Sequence, residues 1–263
     1  MDKNKDSKNK RSKAVTVIET IIIIIAAAVF LVSAFFLLRY YWTGIMAEDR
    51  HAEEREMIES DAPTPEAKYS KLYDQNHDFI GWVSIEGTNV SYPVMHTPDD
   101  PEFYLHANFN KEYEYAGVPF LDAKCNANPE KGGITRNLII YGHNMKNRTM
   151  FSALTDYSDK SFCDEHPIIN FDTLWEEGRY QVVAVIMTDA WGEDGVDGKG
   201  FQYSEYPDFA SEEEFNTYMQ NVNRYKLYDT GVEVVYGDRL LTLSTCQYTQ
   251  EDGRCAIIAK KIN

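Results

Sequence analysis

The chain is poor in cysteine. Cys125, Cys163, Cys246 and Cys255 are four thiols in 263 residues, too sparse for the disulfide framework that staples small secreted folds. Positive charge is also scarce beyond the N-terminus. Seven of the 26 Lys and Arg and three of the 42 Asp and Glu lie within residues 1–42, which leaves the rest of the chain at a net −20. A nucleic-acid binder needs clustered cations to displace counterions from phosphates, so that class is excluded. There is no internal repeat and no low-complexity tract. The 43% apolar and 13% aromatic content is that of a packed globule and not of a disordered chain. The length suits one full-sized domain with extras, or two small domains.

One long apolar run is present. The 19 residues Thr20–Leu38 carry no charge, and a helix rising about 1.5 Å per residue would nearly match a hydrocarbon core of roughly 30 Å. Six basic residues precede it, which keeps the N-terminus in the cytoplasm, and Tyr40, Tyr41 and Trp42 follow at the headgroup level. A cleaved signal has a shorter apolar core followed by small residues. Here Ala26–Ala28 sit mid-run, so an uncleaved anchor is expected. The expected layout is a basic cytoplasmic tail (1–13), a transmembrane anchor (14–42), an extracytoplasmic tether (43–68) and a catalytic domain (69–263) exposed outside the plasma membrane.

Residues 47–60 suit a solvated helix or flexible stalk, which Asp61-Ala-Pro-Thr-Pro65 breaks. Thr64 can cap a new helix with Pro65 at its first position, and Tyr69, Leu72 and Tyr73 give it an apolar face. Strands are expected at 79–85, 89–95, 118–122, 137–143, 180–188, 232–246 and 254–262. Helices are expected at Met150, Phe151, Leu154 and Tyr157, and behind the capping box Ser211-Glu-Glu-Glu214. Many short strands with few helices indicate a mainly β (α+β) domain of barrel type.

Three side chains carry the chemistry. In Leu240-Leu-Thr-Leu-Ser-Thr-Cys246, alternation puts Leu241 and Leu243 on one face and Thr242, Ser244 and Cys246 on the other. Asp252-Gly253 is a tight-turn dipeptide, so Arg254 begins the returning strand and meets the thiol across a hairpin. A guanidinium there favours thiolate or stabilises an anionic intermediate. His143 follows Gly142 at a strand end, and its imidazole, with an ordinary pKa of about 6.5, suits proton transfer near neutrality. From spacing alone, a buried filler thiol and a structural histidine stay open as readings.

The motifs Thr242-Leu-Ser-Thr-Cys246, Arg254 and Tyr141-Gly-His143-Asn-Met resemble the signature of sortases, specifically class B, over roughly residues 70–263. The resemblance implies an eight-stranded β-barrel with N-terminal helices and a helix between the sixth and seventh strands, matching Ser211–Arg224. It implies transpeptidation outside a Gram-positive cell. Cys246 would attack the threonine carbonyl of a C-terminal sorting pentapeptide in a secreted protein and form a thioester. His143 would protonate the leaving amine and deprotonate the incoming one, and Arg254 would hold substrate and oxyanion. Ser244, Thr245 and Asn144 are second-rank substrate contacts. The acceptor is an amine of a peptidoglycan precursor or, in pilus-building relatives, a pilin lysine; an inert anchored binding domain is the alternative of another class.

No cofactor or metal is expected. Cys163 and His166 have a metal-like spacing without a second pair, and the acidic stretch 189–198 lacks the alternation of a calcium loop. Many class B relatives carry an acidic residue after the cysteine, where Gln247 stands here; Glu251 and Asp252 are the nearby carboxylates. Alternation turns Cys255 to the face opposite Arg254, while Cys125 and Cys163 are left either paired or reduced.

Overall fold

The computed structural model describes residues 3–189, 201–246 and 253–263, apart from the side chains of 3–14, 40, 43–49 and 189. Helix α1 is Lys3–Glu56, and the chain divides into two units, 1–46 and 47–263. Within the first, Val15–Arg39 is a stretch of 25 residues with mean hydropathy 3.2 and none of it buried, by length and composition able to cross a membrane.

The second unit is built on eight strands. After α2 (Pro65–Gln75) come β1 (Phe79–Ser84), β2 (Ser91–Met95), β3 (Phe120–Leu121) and β4 (Asn137–Tyr141). Helix α3 (Lys160–Glu165), β5 (Ile168–Thr173), β6 (Arg179–Asp189), α4 (Glu212–Tyr225), β7 (Leu240–Cys246) and β8 (Gly253–Lys261) complete it. The eight strands close into a barrel, as the sequence resemblance implied, in the order β1-β2-β3-β4-β7-β8-β6-β5. Among the described strands, β2–β3 and β4–β7 pair in parallel and the others antiparallel. Closure at β1–β5 depends on Gly81, where a Cβ would lie 2.2 Å from the Asp172 carbonyl oxygen.

Each helix has a local cause. Thr64 caps α2 by accepting the Ala67 N–H at 3.2 Å, with Pro65 in the first turn. Tyr69 and Leu72 are buried against Phe79, Trp82 and Tyr104, whereas Tyr73 is exposed and lies outside the apolar face assigned to it. Ser211 caps α4 through the Glu214 N–H, and the Glu214 carboxylate reaches back to the Ala210 N–H at 2.6 Å. The α4 stripe Phe215, Tyr218 and Val222 covers Ala184, Ile186, Leu240, Ala256 and Ile258. The insertion thus roofs the sheet face that ends in Cys246.

Several elements differ from expectation. Residues 232–239 make no strand; Val232 and Val234 pack beside α4 with no ladder partner, and β7 starts at Leu240. Strand β5 was not anticipated, although its burial alternates residue by residue. The segment after His143 is a 3₁₀ turn, Phe151–Ser158, because Asp159 leaves the helical region and caps the separate helix α3. The solvated stalk is not observed over residues 50–58. His51 and Glu54 are buried with 2.7 Å between Nδ1 and Oε2, His51 sits edge-on to Tyr92, and Arg55 donates to the Ser91 carbonyl. Residues 190–198 of the acidic stretch, and Gln247, Glu251 and Asp252, lie outside the described residues.

Phe215 is 2% exposed and packs edge-on to Phe209 at 5.2 Å between centroids. Phe215→Ala should lower unfolding free energy by about 3–5 kcal/mol, read by urea denaturation. A loss under about 1 kcal/mol would mean that α4 is not anchored through this stripe.

Candidate active site

Strands β4, β7 and β8 end together. Parallel pairing sets Tyr141 beside Ser244, and antiparallel pairing sets Ser244 opposite Ala256 and Cys246 opposite Arg254. Cys246 and Arg254 therefore stand opposite each other on adjacent strands and both line the cleft, as strand alternation predicts. His143 lies two residues past β4. Three bonds clamp its segment to the end of β7: the Gly142 N–H donates to the Ser244 carbonyl (3.1 Å), the Thr245 hydroxyl to the Gly142 carbonyl (2.7 Å), and the Asn144 amide to the Cys246 carbonyl (2.9 Å). The Phe151 N–H closes the loop on the His143 carbonyl at 2.9 Å. Gly142 is required there, since a Cβ would stand 2.6 Å from the Phe151 ring.

The three side chains line one cleft of about 440 Å³, with Leu105 and Phe120 as apolar wall and Asp122, Tyr141, Ser244 and Thr245 as polar lining. His143 is half-buried rather than exposed. Its Nε2 lies 2.9 Å from the Leu105 carbonyl, which can only accept, so Nε2 carries the proton and a neutral ring keeps its lone pair on Nδ1. Burial pushes the imidazole below its ordinary pKa; the Leu105 carbonyl opposes this and His106 adds to it. His143 is thus built to rest neutral.

Cys246 is the one partly exposed thiol among four free cysteines. Burial pushes Cys125 and Cys255 up to about 12 and raises Cys163, leaving these three as inert filler. Cys255 turns away from Arg254 and bonds the Leu154 carbonyl, as alternation predicts, and Cys125 bonds the Asn137 carbonyl. His166 has Nδ1 at 2.8 Å from the Glu86 carbonyl, and among the described residues no cluster of metal-ligating side chains forms.

Ser244 and Thr245 line the cleft, but both are nearly inaccessible and their hydroxyls are engaged. Thr245 holds Gly142, and Ser244 lies 2.6 Å from the Tyr203 hydroxyl. Tyr203 escaped sequence reasoning. It comes from the insertion with no local pattern to mark it; burial pushes its phenol up to about 12, and the Arg254 charge opposes this. His106 escaped too, ranked only as a loop histidine, yet it stacks on His143.

A thiol, an imidazole and a guanidinium thus line one cleft at one end of a closed barrel, side chains of the types that cysteine acyl transfer uses. The sortase domain family model matches residues 83–262, and the chain belongs to the sortase family, the cysteine transpeptidases that anchor proteins to the cell wall. Within that family it is of class B. It is 34% identical to sortase B of Listeria monocytogenes over 193 residues, 73% of this chain and 72% of that protein. It is 29% identical to sortase B of Staphylococcus aureus over 197 residues, 74% and 75% of the two chains. Among solved structures, Bacillus anthracis sortase B in complex with AAEK1 superposes with a TM-score of 0.71 at 27% identity, covering 85% of this chain and 99% of that one. A Staphylococcus aureus sortase B–substrate complex gives 0.70 at 26% identity, covering 83% and 95%.

Two predictions follow from burial. Brief iodoacetamide treatment of the folded chain at about pH 8 should add one group, on Cys246, and modification of a second cysteine would contradict the burial. His143 and His96 both have folded values lowered by burial, so the unfolded chain binds more protons below about pH 6.5. Stability present above that value is lost as pH falls through the folded values. The urea midpoint should drop between about pH 7 and pH 5.5; a flat or rising midpoint would contradict this.

Proposed function

We propose that this sortase is held in the plasma membrane by the single span within residues 14–42, N-terminus cytoplasmic and catalytic domain outside. It cleaves a C-terminal sorting pentapeptide of secreted proteins after threonine and transfers the acyl group to an amine of a peptidoglycan precursor. The reading is supported above all by the facing of Cys246 and Arg254 in a cleft that also holds His143. Neutral His143 takes the thiol proton on Nδ1 while the Cys246 sulfur bonds the threonine carbonyl carbon. Arg254 stabilises the resulting oxyanion. The carbon–nitrogen bond breaks as Nδ1 returns the proton to the leaving amine, which leaves a thioester. The acceptor amine then attacks, His143 takes its proton and restores it to sulfur, and the thioester bond breaks. Asn144 and Thr245 keep the two strand ends in register, and Ser244 lines the cleft with its hydroxyl held from behind by the buried Tyr203.

The test is cleavage of an internally quenched sorting-pentapeptide library by the full chain in detergent, with glycine peptides as acceptor. Cys246→Ala should abolish turnover. Arg254→Lys should lower kcat/KM by about 10²–10³-fold, because a point-charge ammonium does not reproduce a planar fork. Near-parental turnover by Arg254→Lys would remove the proposed role of Arg254.

A further inference from the structure

Three rings with nearly parallel planes cluster at the edge of the cleft. His106 lies on His143 with centroids 5.5 Å apart and planes at 24°. Tyr115 lies against both, 6.3 Å and 8° from His143 and 5.9 Å and 24° from His106. The His106 and Tyr115 rings are exposed, with Tyr115 retaining 56% of its accessible surface, so burial of their own surface does not explain the arrangement. The loop is held independently of the rings. The Glu114 N–H donates to the His106 carbonyl, Ala107 pairs with Tyr113, and the buried Glu114 carboxylate takes Arg50 from the end of α1. Gly117, at φ +56, lets the chain turn back where a Cβ would stand 2.4 Å from the Leu105 carbonyl oxygen. The same loop supplies that carbonyl to His143 Nε2, so one element grips the imidazole by its edge and by its face.

We propose that His106, braced by Tyr115, is a positioning residue for His143, holding the imidazole plane so that Nδ1 addresses the cleft. The Leu105 bond alone leaves the ring free to rock about the Nε2–oxygen axis; a flat ring on its face removes that freedom. His106 also acts by charge. When protonated, it opposes a second proton on His143 and favours the neutral ring that accepts the thiol proton. The other ionisable side chains lining the cleft are Glu102, Asp122, Lys124, Tyr141, Cys246 and Arg254, and the His106 ring lies 5.5 Å from that of His143. His106 Nδ1 faces the Tyr115 carbonyl at 3.3 Å, which orients it without consuming Nε2.

The proposal rests on His143 being the proton carrier, so its test has a readout free of turnover. In the full chain in detergent with ¹³C-labelled histidine, the His143 imidazole is titrated by NMR in the parent, His106→Phe and His106→Ala. Its midpoint should rise in both variants, since each removes the neighbouring charge. With quenched sorting peptides, His106→Ala should lower kcat by about tenfold with KM within about twofold, while the flat ring of His106→Phe should restore most of kcat. An unchanged His143 midpoint in both variants would overturn the proposal, as would equal kcat values for His106→Ala and the parent. Absence of peptide turnover in the parent would count against His143 as proton carrier and leave the titration to decide the stack.

Discussion

The parallel pairing of β4 with β7 is the constraint on which the site depends. It joins segments about a hundred residues apart and brings the end of one strand, with His143, beside the end of another, with Cys246. Parallel neighbours need a crossover connection, and here that connection carries β5, β6 and α4. The barrel closes through those elements, so site and fold are not separable. The clamp between Gly142, Asn144, Ser244, Thr245 and Cys246 is made mostly of backbone groups. Two of its three bonds start from side chains, those of Thr245 and Asn144.

Electrostatics divides the thiols. Three are raised by burial and serve as packing, and the fourth sits at the edge of a cleft beside a guanidinium. His143 is disfavoured as a cation by burial and by His106, which suits the proton acceptor proposed for it. Asp122 meanwhile engages the Tyr141 hydroxyl at 2.8 Å, and burial beside this carboxylate raises the phenol well above its ordinary range. Tyr141 is thus a fixed wall of the cleft and stays protonated near neutrality.

What the sequence revealed and what it concealed follow the range of the interactions. The Cys246–Arg254 pair was legible because strand alternation and the turn-forming dipeptide Asp252-Gly253 are local sequence signals. The capping of α2 and α4 was legible for the same reason. That His143 joins the pair was legible through family resemblance alone, since no local pattern reports a parallel partner so far along the chain. Tyr203 and His106 were invisible because their significance lies wholly in tertiary contacts. The burial of residues 50–58 was hidden differently. His51 and Glu54 satisfy each other, so a polar composition that reads as solvated describes a packed segment. The run 232–239 failed in the opposite direction, its valines packing beside α4 with no strand to pair with.

The account's central claim is that Cys246 carries the acyl group. Intact-mass spectrometry of the full chain in detergent, quenched in acid seconds after mixing with a sorting peptide, tests it most directly. The account predicts a mass increase equal to the acyl fragment ending in threonine, mapped to the peptide containing Cys246 and discharged by an added amine. A chain that releases product without that adduct, or that bears it on another residue, would contradict the account.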